Sequence, residues 1–81
     1  MIDSNFNFKR YKVGDALRIL NPLQSAFYWN KGVEPLDIYP SHDLKTGEPV
    51  IVFVFSRRQT RESGVYDEWV KRGEEIRANE E

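Results

Sequence analysis

The chain contains no cysteine among its 81 residues. This absence excludes disulfides, thiol nucleophiles, iron–sulfur clusters and zinc sites with thiolate ligands. Histidine is nearly absent too, since His42 is the only one, and a bound metal ion needs at least three converging ligands. We therefore expect neither a metal ion nor a cofactor, and we interpret His42 as a solvated loop residue.

Long apolar runs and an excess of one charge are also missing. No stretch approaches the roughly 18 apolar residues of a membrane helix, and residues 1–15 lack the basic and then apolar pattern of an export leader. Twelve basic and 13 acidic residues give a net charge of -1, so no overall field draws the protein onto nucleic acid or an anionic membrane. These features predict a cytoplasmic protein with no membrane contact.

What the chain does contain is enough apolar material for one small folded domain. Hydrophobic residues make up 40% of the sequence and aromatic residues 14%, more than a disordered segment carries. The patterning predicts three parts: an N-terminal arm over 1–14, a single domain over 15–72 and an acidic tail over 73–81. A domain of this size buries a thin core, so association with a second copy would stabilise it.

Capping residues predict the first half of the domain. Residues 16–20 form either a short strand or one helical turn, and we favour the strand because a strong helix start follows. Asn21 suits the cap position and Pro22 the first helical turn, while Gly32 can end the helix in a left-handed conformation. The prediction is a strand followed by a helix over 22–31.

Alternation and helical spacing predict the second half. Residues 33–39 alternate as a strand does, and a polar loop joins them to the strand 50–55, which is apolar on both faces and therefore central. A helical stripe begins at Val65, and Gly73 is expected to cap that helix. The fold class is α+β in the order β-α-β-β-α, with a central antiparallel hairpin and both helices packed on the sheet.

No arrangement of residues indicates catalysis. Ser41, His42 and Asp43 are consecutive, and consecutive residues cannot normally converge as a catalytic triad. The paired carboxyl groups of Asp67 and Glu68 point away from each other on a helix, whereas acid–base pairs need a shared cleft. We therefore expect a protein that is not an enzyme and has no catalytic residues.

An arginine cluster stands where the second helix is expected to begin. Arg57, Arg58 and Arg61 oppose the helix dipole there, since acidic residues are preferred in a first turn. One interpretation is an anion-binding site for a phosphate or an acidic partner, joined by basic residues of the arm at 9, 10 and 12. The interpretation that we favour is a set of solvated arginines, because the chain lacks an extended basic face.

Aromatic and branched residues exceed what two helices can cover. The stripe of Leu23, Ala26 and Phe27 is expected to face the sheet, and the other face of the sheet is left open. Either Phe6 and Phe8 of the arm cover that face, or a second copy or a partner protein does. The predicted interaction surface consists of Tyr28, Trp29, Tyr39, Val52 and Val54.

Several runs resemble small uncharacterised proteins of Gram-positive bacteria and their phages. These runs are residues 20–24, 27–32, 36–41, 53–55 and 66–69, and the resemblance covers about residues 15–72. It implies a fold and a genomic origin but no activity.

With the predicted surfaces, the resemblance leads to a functional expectation. The protein is expected to be a non-catalytic accessory protein of phage or prophage type that acts by protein–protein interaction, as a homodimer or on a host protein. The alternative is a nucleic-acid-associated or regulatory protein that uses Arg57, Arg58 and Arg61.

Overall fold

A computed structural model describes the backbone of residues 1–80 and the side chains of residues 1–76. The chain is α+β, as the sequence predicts. Its elements, in chain order, are β1 (Ile2–Asp3), β2 (Arg10–Tyr11), β3 (Ala16–Ile19), α1 (Pro22–Asn30), β4 (Asp37–His42), β5 (Pro49–Ser56), α2 (Arg57–Glu62) and α3 (Val65–Glu80).

The main sheet is antiparallel with the strand order β3-β5-β4. The prediction of a central hairpin is confirmed, because β5 pairs with β4 on one side and with β3 on the other. Phe55 of β5 belongs to the core on the helix side, whereas Val52 and Val54 belong to a second cluster on the opposite face. Alternate residues of a strand point to opposite faces, so both faces of β5 need a cover.

The strand β4 begins later than its sequence suggests. Alternation predicts a strand over 33–39, but pairing with β5 starts at Asp37 and continues to His42. Val33 instead joins the hydrophobic core from the segment between α1 and β4. His42 therefore ends a strand as an exposed residue and does not lie within the loop.

The helix α1 begins where its caps predict. The Asn21 side chain accepts hydrogen bonds from the backbone N–H groups of Leu23 and Gln24 at 2.9 and 3.3 Å. Pro22 occupies the first turn, where its missing N–H costs nothing. Gly32 has a φ of 93°, so the left-handed position after the helix is taken by the residue that adopts it without strain.

The buried face of α1 differs from the prediction. Tyr28 is 0% exposed and packs edge-on against Phe55, with 5.2 Å between ring centroids, while Leu23 is 70% exposed. The helix is rotated because Tyr28 can bury its ring and still satisfy its hydroxyl, which accepts a 2.8 Å hydrogen bond from the Gln24 side chain. Phe27 remains half-buried against Trp69 of α3, at 5.5 Å.

Two helices, not one, follow the sheet. The sequence predicts a helical stripe only from Val65 onwards, but the residues before it form α2, and Gly64, with a φ of 74°, separates α2 from α3. The prediction that Gly73 caps the last helix is wrong, because α3 runs through that position to Glu80. The first part of the predicted acidic tail is thus helical, while residue 81 and the side chains after residue 76 lie outside the described residues.

The N-terminal arm folds over the second face of the sheet. Its strands β1 and β2 pair as a separate two-stranded sheet, reversed through Phe8 at a φ of 62°. Ile2 and Tyr11 then pack on the cluster that contains Val52 and Val54. The arm therefore covers this face, which is one of the alternatives that the sequence left open. Phe8 was expected to take part in the cover but is 89% exposed.

Among the described residues, none of the helices combines the length and the apolar character needed to cross a membrane.

Candidate functional site

The structure buries some residues of the predicted interaction surface and leaves others at least partly exposed. Tyr28, Val52 and Val54 are buried, at 5% exposure or less, and the expectation that Tyr28 and Val54 face a partner is corrected. The core aromatics around Phe55 enclose Tyr28, and the arm covers the two valines. Tyr39 remains half-buried, and Trp29 remains partly exposed with Phe6 of the arm edge-on at 5.5 Å.

A buried carboxyl group holds the arm in place. Asp37, at the start of β4, is 1% exposed. Its Oδ1 atom accepts hydrogen bonds from the Asn5 and Ile38 backbone N–H groups at 2.8 and 2.9 Å, and from the Ser4 hydroxyl at 3.4 Å. Its Oδ2 atom accepts from the Tyr11 hydroxyl at 2.8 Å. We call this arrangement, Asp37 with Ser4, Asn5 and Tyr11, the arm clamp.

The arm clamp changes the acidity of its tyrosine. Burial, together with the hydrogen bond to Asp37 and the nearby charge of that residue, raises the pKa of Tyr11 to about 12. A tyrosinate next to the Asp37 carboxyl group would be desolvated and repelled, so the neutral phenol is favoured. The group therefore acts as a hydrogen-bond donor at physiological pH and is fixed in that role.

Beyond the arm, part of the second sheet face remains open. The Arg18 guanidinium donates from Nε to the Tyr39 hydroxyl at 3.1 Å, and these side chains come from the two strands that flank β5. Together with Val52 they line a groove of about 540 Å³, which continues towards the β4–β5 loop. We call it the sheet groove; its lining includes Arg18, Leu20, Tyr39, His42, Asp43, Leu44, Lys45 and Val50.

The first turn of α2 is already capped from within the chain. Asp15 accepts from the Ser56 hydroxyl at 2.6 Å and from the Arg58 backbone N–H at 2.9 Å, and the Ser56 hydroxyl oxygen accepts from the Gln59 N–H. The bonds from Ser56 and Arg58 hold the pKa of Asp15 below its ordinary value. The idea that helix N–H donors await an external anion is therefore corrected, because Asp15 and Ser56 occupy them.

The three arginines of the predicted cluster do not face one site. Arg58 lines a cleft of about 770 Å³ between the arm and α2, whereas Arg57 and Arg61 line a smaller cleft of about 320 Å³ beside α3. Arg57 also donates to the Ala16 carbonyl at 3.2 Å, which ties it to β3. The structure thus separates residues that the sequence placed together.

The larger cleft unites Arg58 with basic residues of the arm. Arg10 and Lys12 line it, as the sequence suggested for an anion site, and Lys9 is not part of the lining. Arg10 pairs with Asp3 at 3.0 Å and Arg58 with Glu62 at 3.1 Å, and all four side chains are largely exposed. We call this feature, lined by Arg10, Lys12 and Arg58, the basic cleft.

Sequence reasoning missed the two carboxyl groups that organise these surfaces. Asp37 lies at an inward-facing position of β4, and a charged residue in an alternating strand is a weak signal of a buried polar contact. Asp15 carries no comparable signal, because its partners Ser56 and Arg58 are 41 and 43 residues away in sequence. Only the pairing of β3 with β5 brings them together.

Within the part of the chain whose side chains are described, no three His, Asp or Glu residues come together as a metal-ligand set. The sequence matches no protein-family model, and comparisons with curated proteins and with solved structures find no similar chain.

Proposed function

We propose that this protein is a non-catalytic binding protein that acts through protein–protein contact as a homodimer, with the sheet groove as the contact surface. The observation that supports the proposal is the incomplete cover of the second sheet face. The arm buries Val52 and Val54, but Leu44 and Leu20 stay exposed beside the half-buried Val50. Apolar side chains grouped around one groove are typical of a protein interface.

The charges around the sheet groove favour a second copy as the occupant. Arg18 and Lys45 carry positive charge and Asp43 carries negative charge on the same lining. In a two-fold dimer each surface meets its own copy, so a surface with both signs can satisfy itself across the axis. A phosphate backbone would require one sign, which this groove does not present.

The size of the domain gives a second reason for association. A chain of 81 residues buries a smaller share of its surface than a larger domain does, and pairing adds apolar burial. The phage or prophage setting remains part of the proposal and rests on the resemblance of residues 15–72 alone.

The test is the mass of the protein in solution, measured by light scattering after size-exclusion chromatography across a concentration series. The native chain should give twice the monomer mass at the upper concentrations. Leu44→Asp should give a monomer with an unchanged circular dichroism spectrum, because the fully exposed Leu44 side chain supports no core. Leu23→Asp is the matched control, since Leu23 is exposed on α1 outside the groove and that variant should remain dimeric.

Two results would contradict the proposal. If the native chain stays monomeric at high micromolar concentration, the proposed homodimer does not form. A dimer that survives Leu44→Asp but dissociates in Leu23→Asp uses α1, and the sheet groove is then not the interface.

A further inference from the structure

The basic cleft suggests a binding site separate from the sheet groove. Arg10 and Lys12 come from the arm and Arg58 comes from α2, so three cations from distant parts of the sequence line one concavity. Among these residues, Lys12 has no ion-pair partner within the described side chains. A concave site with converging cations recognises anionic groups, because arginine binds carboxylates and phosphates through charge-assisted hydrogen bonds.

The existing ion pairs leave the cleft available to a ligand. The pairs Arg10 with Asp3 and Arg58 with Glu62 are exposed to water, where screening by solvent leaves such pairs with little net contribution to stability. An incoming carboxyl group can therefore replace them at little cost. Asp15, the carboxyl group in the cleft lining, is bound to the Ser56 hydroxyl and the Arg58 backbone N–H, and its charge also acts on the Arg58 side chain. An incoming carboxylate therefore reaches Arg10 and Lys12 with less competition than it meets at Arg58.

The walls of the cleft favour a peptide over a nucleic acid. Leu36 lines one side, so the site offers apolar surface next to its charges. Tyr11 is the aromatic residue of the lining, but it is buried and its hydroxyl is bound to Asp37, so its ring gives no platform for stacking bases. Acidic side chains next to an apolar one match this combination.

We propose that the basic cleft binds an acidic segment of a partner protein, with carboxylates on Arg10, Lys12 and Arg58 and an apolar residue against Leu36. This binding is independent of the homodimer, because none of these four residues lines the sheet groove. The protein would then carry two contact surfaces, one for a second copy and one for an acidic partner.

The experiment measures fluorescence anisotropy of a labelled peptide of alternating glutamate and leucine, with a labelled single-stranded oligonucleotide as the second probe. The native chain should bind the peptide at low salt and lose affinity as salt is added, because salt screens exposed charges. The double variant Lys12→Ala with Arg58→Ala should weaken peptide binding about tenfold or more, since it removes two charge-assisted contacts.

A matched control removes one lysine and one arginine that lie outside the basic cleft. Lys71→Ala with Arg61→Ala changes the net charge equally, but Lys71 lies on α3 and Arg61 lines the smaller cleft. This variant should bind the peptide within about twofold of the native chain, since neither side chain would touch it. The monomeric Leu44→Asp variant should also bind normally, which separates this test from that of the homodimer.

Three outcomes would overturn the inference. The peptide fails to bind at low salt, or both double variants weaken binding equally, which indicates net charge alone. In the third outcome, the oligonucleotide binds more tightly than the peptide, and the double variant Lys12→Ala with Arg58→Ala no longer binds it. The cleft is then a nucleic-acid site.

Discussion

Removing one hydroxyl from the arm clamp should open the arm without unfolding the domain. The substitution Tyr11→Phe keeps the ring packed near Val52 and Val54 but deletes the 2.8 Å hydrogen bond to Asp37. Loss of one partner of a buried polar group costs about 1 to 3 kcal/mol. The other hydrogen bonds of Asp37, from Ser4, Asn5 and Ile38, remain in the variant.

Limited digestion with trypsin measures this opening, because the arm carries cleavage sites at Lys9, Arg10 and Lys12. Cleavage tracks the population of the open form when opening is fast, so 1 to 3 kcal/mol corresponds to a rise of roughly 5-fold to 150-fold in cleavage rate. Cleavage at the exposed Lys45 of the β4–β5 loop should stay constant and serves as the internal reference.

The matched control is Tyr66→Phe, which deletes a hydroxyl from an exposed ring on α3. It should leave the cleavage rate at residues 9–12 unchanged. If Tyr11→Phe also leaves that rate unchanged, the Tyr11–Asp37 bond does not hold the arm, and our account of the clamp is wrong.

Three further predictions concern pH and packing. The pKa of Tyr11 is higher in the folded protein than in the unfolded chain. The contribution of Tyr11 to the free energy of unfolding should therefore be complete below pH 10 and lost as the pH rises to about 12, and the tyrosinate absorbance of the native protein and of Tyr11→Phe follows this titration. The folded pKa of Asp15 is lowered, so the stability difference between native protein and Asp15→Ala, roughly 1 to 2 kcal/mol in urea titrations, should persist above about pH 4 and shrink below it. Tyr28→Ala should lower the free energy of unfolding by about 3 to 5 kcal/mol, whereas Leu23→Ala should change it by less than about 1 kcal/mol, because only Tyr28 is buried.

Local signals in the sequence were sufficient for some elements and not for others. The caps of α1 act within a few residues of the chain, so Asn21, Pro22 and Gly32 predicted its two ends. The central position of β5 followed from apolar residues on both faces. These features depend on chemistry that neighbouring residues determine by themselves.

The orientation of α1 could not be predicted in the same way. Apolar residues at 23 and 26–29 surround most of the helix, so a period of 3.6 residues does not select one face. Selection came from Phe55, which accepts the ring of Tyr28. The break between α2 and α3 was also missed, because a helix end was predicted at Gly73, whereas Gly64 adopts the positive φ and Gly73 lies within α3.

Both surfaces of the candidate site depend on long-range contacts. The residue types of the arginine cluster were visible in the sequence, but its division between two clefts follows from the position of α2 relative to the arm. Of the predicted interface residues, Tyr39 and Val52 line the sheet groove, while Val54 lies under the arm. The apolar residues of the sheet predicted a second face that needs a cover, but they did not show how much of that face the arm would cover.

The position of the arm also constrains the order in which the chain can fold during synthesis. Residues 2–11 leave the ribosome before β5, which carries the valines that they cover, and Asp37 is made between the two segments. The arm therefore has no docking surface until residue 54 has emerged and the strands have paired. Closing so distant a contact requires the intervening loops to be ordered first. The arm is thus made before the strands that it covers and docks only after they have paired.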